Sequence, residues 1–318
     1  MAIRIENLRQ ETGNRYSDLI ADVTYSGGVR TVAFRRYGAI SELNQAEPFG
    51  EPFLVMLLMH AMKSGDDLIL DGEIDPLLLY ELQVTIQSVL CLQFSELKKV
   101  SIRAERRPNH PGRKEGAHVA TGFSGGIDSM QLLDCALFKD ELPEELRVSM
   151  LMHHNVGSVA RNSQFDVNRS HAERCADELG LSFAGASCDV SPFYEGFTFL
   201  ESHTMRTVAA SMSLSPICKR YVYASGTELQ VGLPNMCTRV IDAANPVLLP
   251  LLSTAQQSFK QFGAECTRLD KILQVMENET LVSKINVCAR VSHDNSSLLN
   301  CGRCFKCFPV LLVAEALG

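Results

Sequence analysis

The run Ser124-Gly125-Gly126-Ile127-Asp128-Ser129 sets a Gly-Gly turn between two hydroxyls, with a carboxylate two residues after it. Glycines let backbone N–H groups come close to a ligand, and a helix start adds partial positive charge, so such a turn is built to hold an anion. Ser124 and Ser129 can donate to phosphate oxygens. Asp128 is out of place against an anion unless a divalent cation bridges it to the phosphates. A second cluster follows from cysteine spacing. Four of the eleven cysteines fall in the last 31 residues: Cys301, Cys304 and Cys307 at C-x2-C-x2-C spacing, and Cys288, separated from them by twelve residues. Four thiolates without a histidine favour a closed tetrahedral Zn2+ site that contributes folding energy. An iron–sulfur cluster uses the same donors and is the alternative. A disulfide scaffold belongs to small secreted chains and does not suit this one.

The elements around the Gly-Gly turn suit it. Residues 118–123 form an apolar run that reads as a buried strand, and 130–137 read as the first turns of a helix that extends to about 139. Beyond them the pattern alternates: strand 147–152, helix 164–179 closed by Gly180, strand 182–187, helix 203–214, strand 221–225. Repeated βα units with nearly all-apolar strands predict a parallel sheet covered on both faces. Ligands in such sheets bind at the carboxyl ends of the strands. That rule points to the loop at 124–129, to His153-His154, and to Ser225-Gly226 as substrate or phosphate contacts. Arg161 and Arg169 read as solvated helix residues near the mouth. Arg268 and Lys271, at i and i+3 on one helix face, are candidates to meet an anionic substrate group, with a surface ion pair as the plain alternative.

The first 110 or so residues read as a separate α+β unit without a catalytic cluster. Strands are predicted at 16–25 and 29–34 around Ser26-Gly27-Gly28, then a buried helix at 53–62 and a short strand at 67–70. Asp75 and Pro76 are the N-cap and first residue of a helix over 77–94, and a strand follows at 100–104. This unit is expected to pack on the following domain or to form an oligomer contact. The stretch from Pro108 to Gly116, rich in proline, glycine and charge, marks a boundary. The domains expected are therefore 1–110, 117–260, and a helical segment 261–318 that carries the four cysteines.

Composition limits the partners. The 318 residues are 46% hydrophobic and 21% charged, with a formal net charge of −7. That composition suits a globular chain and argues against a polynucleotide substrate, which usually meets a basic face. The basic residues Arg103, Arg106, Arg107, Arg113 and Lys114 read as a solvated connector. Met1-Ala2-Ile3-Arg4-Ile5 is not a signal peptide, and no apolar run nears the ~20 residues of a membrane span. A cytoplasmic protein acting on a small molecule, with a homodimer as a possible state, is the expectation. Cys91, Cys135 and Cys175 sit in apolar helical patterns and read as core. The phosphate loops G-x-x-x-x-G-K-[ST] and G-x-G-x-x-G after a strand are absent.

The run Ser124–Ser129 resembles the S-G-G-x-D-S signature of the PP-loop ATP pyrophosphatases. The cysteine pattern resembles the C-terminal zinc site of 7-cyano-7-deazaguanine synthases, members of that superfamily whose upstream cysteine gap is shorter and which lack the N-terminal unit. The resemblance covers roughly residues 118–318. An uncharacterised group of bacterial PP-loop proteins is also similar, through its N-C-x-x-C-x-K-C motif, an apolar helix after it (here 310–317), and Thr267-Arg268-x-x-Lys271-Ile272 before it. The resemblance implies a HUP-type α/β domain, a parallel sheet with helices on both faces, flanked by the N-terminal unit and the four-cysteine segment. It implies ATP and Mg2+ as cofactors, with Ser124, Gly125, Gly126, Asp128 and Ser129 on the phosphates, and Asp128 and Ser129 in the catalytic role. His153 and His154 would lie against adenine or ribose.

The implied reaction is an AMP-forming ligation. A carbonyl or carboxylate oxygen of a purine- or deazapurine-like heterocycle attacks the α-phosphorus, pyrophosphate leaves, and a nitrogen nucleophile displaces AMP. Two alternatives stand beside it. One is thiolation of a nucleobase or RNA by the same activation, for which Cys188, Cys218 or Cys237 would have to carry a persulfide. The other is a nucleotide-binding sensor without turnover. Ala2 at the second position disfavours an amidotransferase of the N-terminal-cysteine type.

Overall fold

In the computed structural model the described residues are 2–108, 116–139, 142–158, 162–232, 234, 237–288 and 300–317. Ten strands are described: β1 Ala2–Thr12, β2 Ser17–Tyr25, β3 Gly28–Tyr37, β4 Asp67–Ile74, β5 Ile102–Arg106, β6 His118–Gly122, β7 Met150–Met152, β8 Ser182–Ser187, β9 Cys218–Ala224 and β10 Ser258–Phe262. They join one mostly parallel sheet in the order β10-β9-β6-β7-β8-β3-β2-β1-β4-β5. The five strands β10-β9-β6-β7-β8 are mutually parallel. Within that half the strand order reverses between β6 and β9. This is the topological switch point where open α/β sheets bind ligands.

Alternation along the central strands builds two cores, one on each face. Ala120, Met150, Met152 and Tyr221 enter the core that also takes the helices Glu51–Ser64 and Phe199–Met212. Val119, Leu151 and Val222 enter the other, with the helices Ile127–Leu133, Asn162–Glu178 and Arg268–Met276. Helices therefore cover both faces, and the strands are apolar on both sides as the sequence suggested. Cys304 and Cys307 pack into this second core beside the helix that follows the Gly-Gly turn.

The N-terminal strands share the sheet with the later ones. β3 pairs antiparallel with β8, with Arg35, Arg36 and Tyr37 opposite Ser187, Ala186 and Gly185. At this seam Arg36 is fully buried. It donates to the Ser17 carbonyl and hydroxyl, to the Gln10 side-chain oxygen and to the Ser213 carbonyl. Burial lowers its guanidinium to about 10, against the pull of Asp18. Asp75 caps its helix through the Leu77 and Leu78 amides, and Pro76 opens it, as the sequence indicated. That helix does not run evenly to residue 94: a π turn, Leu82–Ile86, separates Pro76–Glu81 from Gln87–Gln93. Among the described residues no helix is long and apolar enough to cross a membrane. Arg161, Arg113 and Lys114 lie outside the described residues, as does most of the expected 108–116 boundary.

Candidate functional site

The Gly-Gly turn sits at the carboxyl end of β6, beside the switch point. β6 ends at Gly122, and the helix Ile127–Leu133 starts after an extended Gly126 and continues as a π turn, Asp134–Phe138. No side chain caps the helix start, so its first N–H groups face the turn unclaimed by a capping residue. Ser124 is exposed at the tip. Gly125 has φ +76°, and a Cβ placed there would lie 2.6 Å from Asn286 Cβ. The Asn286 N–H donates to the Gly125 carbonyl at 2.8 Å. Glycine is required here twice, by its backbone conformation and by this close approach.

Gly126 is different: its φ is −76°, and a Cβ would meet only the Ser124 Oγ, at 3.2 Å. Gly125→Ala is therefore expected to lower stability by at least ~1–2 kcal/mol, the cost of a left-handed non-glycine residue. Gly126→Ala should stay within about 0.5 kcal/mol of the parent, as substitutions without strain do. Urea midpoints of the two variants check this, and equal midpoints would refute it.

Asp128, in the first turn of the helix, is gripped by two cations. Arg268 Nη1 lies 2.8 Å from its Oδ2, and Lys271 Nζ lies 3.3 Å from its Oδ1. Lys271 is 2% exposed and also donates to the Ser225 carbonyl at 2.7 Å. An ammonium has three donors, and these two bonds occupy two of them. Arg268 and Lys271 extend from the start of the helix Arg268–Met276, whose N-terminus is closed by a reciprocal Thr267–Asp270 box. Sequence spacing put both on one face, and the fold brings that face onto Asp128. The carboxylate that looked out of place beside an anion has two positive charges against it. Glu228 Oε1 also accepts from the Arg268 N–H at 3.1 Å, so two cations and two carboxylates meet at the switch point.

Ser225 and Gly226, after β9, join the same place, but Ser225 is committed internally. Its hydroxyl donates to the Thr227 carbonyl and accepts from Gln261 Nε2, both at 2.6 Å. Its carbonyl fixes Lys271, so Ser225 positions a cation and offers no free donor. Gly226 backs onto Asp242, whose Oδ2 accepts from Thr227 Oγ1. Ser129 is buried and its Oγ donates back to the Gly126 carbonyl at 2.8 Å.

The two histidines separate. His153 Nδ1 bonds the Phe123 carbonyl at 2.7 Å, and its ring stacks on Phe165 at 5.5 Å, one residue from the Gly-Gly loop. Burial pushes its pKa down, against the pull of that carbonyl. His154 points into the sheet core instead. Its Nδ1 accepts from the Ala186 N–H, its Nε2 has no hydrogen-bond partner, and burial lowers it to about 3. Of the pair, His153 is the one bonded to the residue that precedes the loop. Arg169 lies over the Tyr37 ring at 4.9 Å, away from Asp128's partners.

The cysteines converge as their spacing indicated. The sulfurs of Cys288, Cys301, Cys304 and Cys307 all lie within 4.8 Å of one another. The separation is 3.4 Å for Cys304–Cys307 and 4.0 Å for Cys301–Cys307. Tetrahedral thiolates at a Zn–S distance of about 2.3 Å stand about 3.8 Å apart, so the donor set fits one metal ion such as zinc. The Arg303 backbone N–H holds the Cys301 thiol below its ordinary value, whereas burial pushes Cys307 up to about 12. Asn300 ties this centre to the loop. Its Oδ1 accepts from the Val287 N–H, and its Nδ2 donates to the Ile285 carbonyl. Asn286, between those residues, holds Gly125.

Sequence reasoning missed Asn286 and took Asn300 only as the first residue of the N-C-x-x-C-x-K-C motif, because both work through backbone groups. The three persulfide candidates differ. Burial raises the Cys188 thiol strongly and the Cys218 thiol to about 11, which disfavours the thiolate. Cys237 is exposed. A scan of protein-family models and searches of curated proteins and of solved structures found nothing that matches this chain.

Proposed function

We propose that the protein is an AMP-forming ligase of the PP-loop type, which activates a carbonyl or carboxylate oxygen of a small heterocyclic acceptor with ATP. The observation that carries this reading is the Asp128–Arg268–Lys271 cluster against a glycine turn at the switch point. A turn with open N–H groups, a helix start and two cations suit a triphosphate.

In the reaction an acceptor oxygen forms a bond to the α-phosphorus, and the bond from that phosphorus to the bridging oxygen breaks. Pyrophosphate takes the electron pair. A nitrogen nucleophile then adds to the activated carbon and AMP leaves. Arg268 and the remaining Lys271 donor neutralise the charge that grows on pyrophosphate, while Asp128 and the Ser225 carbonyl hold Lys271 in register. Ser124, Gly125 and Gly126 supply the turn that receives the phosphates. For Mg2+ the cluster offers one carboxylate, Asp128, whose oxygens already serve cations. A magnesium ion brought in with ATP would add to the charge neutralisation. The four-cysteine centre is read as a structural zinc site: sulfurs this close suit one ion better than a larger iron–sulfur cluster. The raised Cys188 and Cys218 thiols favour a nitrogen nucleophile over a persulfide.

Nucleotide product analysis tests the proposal. The protein is incubated with Mg·ATP and a small-metabolite fraction. AMP and pyrophosphate that depend on that fraction are expected. ADP and phosphate, or no nucleotide binding, would overturn it.

A further inference from the structure

A cleft of about 920 Å3 opens at the carboxyl ends of β7 and β8, against the edge of β3. It shares Phe165 with the candidate nucleotide site, since that ring stacks on His153. Two aromatic pairs line it, Tyr37 with Phe165 and Tyr194 with Phe197. Arg206 reaches it from the helix Phe199–Met212 and is 6% exposed.

The charge pattern in this wall is unbalanced. Arg206 donates to the Val156 carbonyl at 3.3 Å and lies over the Tyr194 ring at 4.1 Å. Its Nε has no partner, and neither has the Tyr194 hydroxyl. Among the described residues no carboxylate comes within ion-pair distance of Arg206. The acids of the cleft are matched elsewhere: Asp189 pairs with Arg30 at 2.7 Å, and Asp166 lies 3.8 Å from Arg169. Arg35 is held by Asp18 at 2.9 Å. Burial pulls the Arg206 guanidinium down from its ordinary value, as expected of a charge without a counter-ion. A buried cation is costly unless paired.

We infer that this cleft is the acceptor site and takes a planar aromatic molecule bearing an anionic group, with Arg206 as the counter-charge and the aromatic pairs as walls for the ring. Its role as an acceptor site rests on the ligase reading. The binding chemistry does not.

The test uses the full chain and four probes: benzoate, phenyl phosphate, benzamide and inorganic phosphate. Binding is read by thermal shift and by ligand-observed NMR. An aromatic anion should bind and raise the unfolding midpoint, while isosteric benzamide and ring-free phosphate should not. Preference for benzoate or for phenyl phosphate tells a carboxylate from a phosphate acceptor. Arg206→Met should weaken the anion by about tenfold or more, the worth of a charge-assisted bond. Arg206→Lys should retain part of the binding. Equal response to benzoate and benzamide, or no response to either anion, overturns the inference, whether or not Arg206→Met folds. ATP is titrated in the same assay. An ATP response lost with an intact anion response would count against the ligase reading alone. The reverse would count against the cleft alone.

Discussion

Removing the metal from the four-cysteine centre is expected to weaken nucleotide binding as well as stability. Cys288 follows directly on the segment that braces the Gly-Gly loop, and Asn300 precedes Cys301. With the four thiolates tied to one ion, Asn300 bonds Ile285 and Val287 from both sides, and Asn286 between them holds the Gly125 carbonyl. Cys304 and Cys307 also fill part of the core under the helix that follows the loop. Without the ion, four thiols crowd one place and that core loses its edge. Structural zinc contributes folding free energy directly. A loss of several kcal/mol, at about 2–4 °C per kcal/mol, would lower the melting midpoint by ~10 °C. Metal analysis is expected to give one zinc per chain in colourless protein. Cys304→Ser and Cys307→Ser should lose it. Because the ligands bind as thiolates, acidification should release the metal and alkaline pH should retain it. Calorimetric ATP titration before and after chelation checks the coupling. Chelation that lowers the midpoint but leaves ATP affinity unchanged would mean that Asn286 and Asn300 do not transmit it. Purified protein that carries no metal, or a melting midpoint that chelation leaves unchanged, would refute the centre itself.

Features that depend on neighbours in sequence were legible from the chain. The glycine turn at 124–126 announces itself through local backbone needs, and the Cys301-x-x-Cys304-x-x-Cys307 steps through one turn's geometry. Strands buried on both faces gave apolar runs that alternation with helices turned into a parallel sheet. β8 was placed at its observed bounds for that reason. Features that depend on distant pairing were not legible. β10 reads Ser-Phe-Lys-Gln-Phe, an edge strand with one partner, and its mixed polarity carries no strand signal. The joining of β3 to β8 is a tertiary event: nothing near residues 35–37 names residues 185–187 as partners. The strands of residues 1–110 and those that follow thus share one ten-stranded sheet. The same holds inside the site. Asp128 meets Arg268 and Lys271 across 140 and 143 residues. Asp128 beside an anion loop called for a divalent cation, and two side-chain cations of this chain lie against it. Arg206 was missed because an arginine in a helix of mixed polarity looks like a solvated residue until its burial is seen.

If the protein is the ligase proposed above, Lys271→Met is expected to abolish most of the ATP-dependent chemistry while leaving the fold intact. The ammonium is buried, and its two protein bonds use two of its three donors. Removing one preorganised charge-assisted donor to a developing anion commonly costs about 10²–10³ in rate. The methylene stem of methionine fills much the same space, so packing is largely retained. The Ser225 carbonyl and Asp128 lose a partner, but Arg268 still neutralises the carboxylate at 2.8 Å. Asp128→Ala is the harsher change. It strands Lys271 with only the Ser225 carbonyl, and breaking a fully buried pair from one side costs about 3–5 kcal/mol. Asp128 is partly exposed, so the cost should fall below that, near ~1–3 kcal/mol, while nucleotide turnover is lost as well. The double variant Asp128→Ala/Lys271→Met should recover stability relative to Asp128→Ala alone, because no unpaired charge remains in the core, yet stay inactive. Urea unfolding together with AMP release separates the two effects. Single-variant stability losses that simply add in the double variant would show that the pair is not coupled. An active Lys271→Met protein would remove Lys271 from the phosphate site and leave it a structural strut between helix and loop.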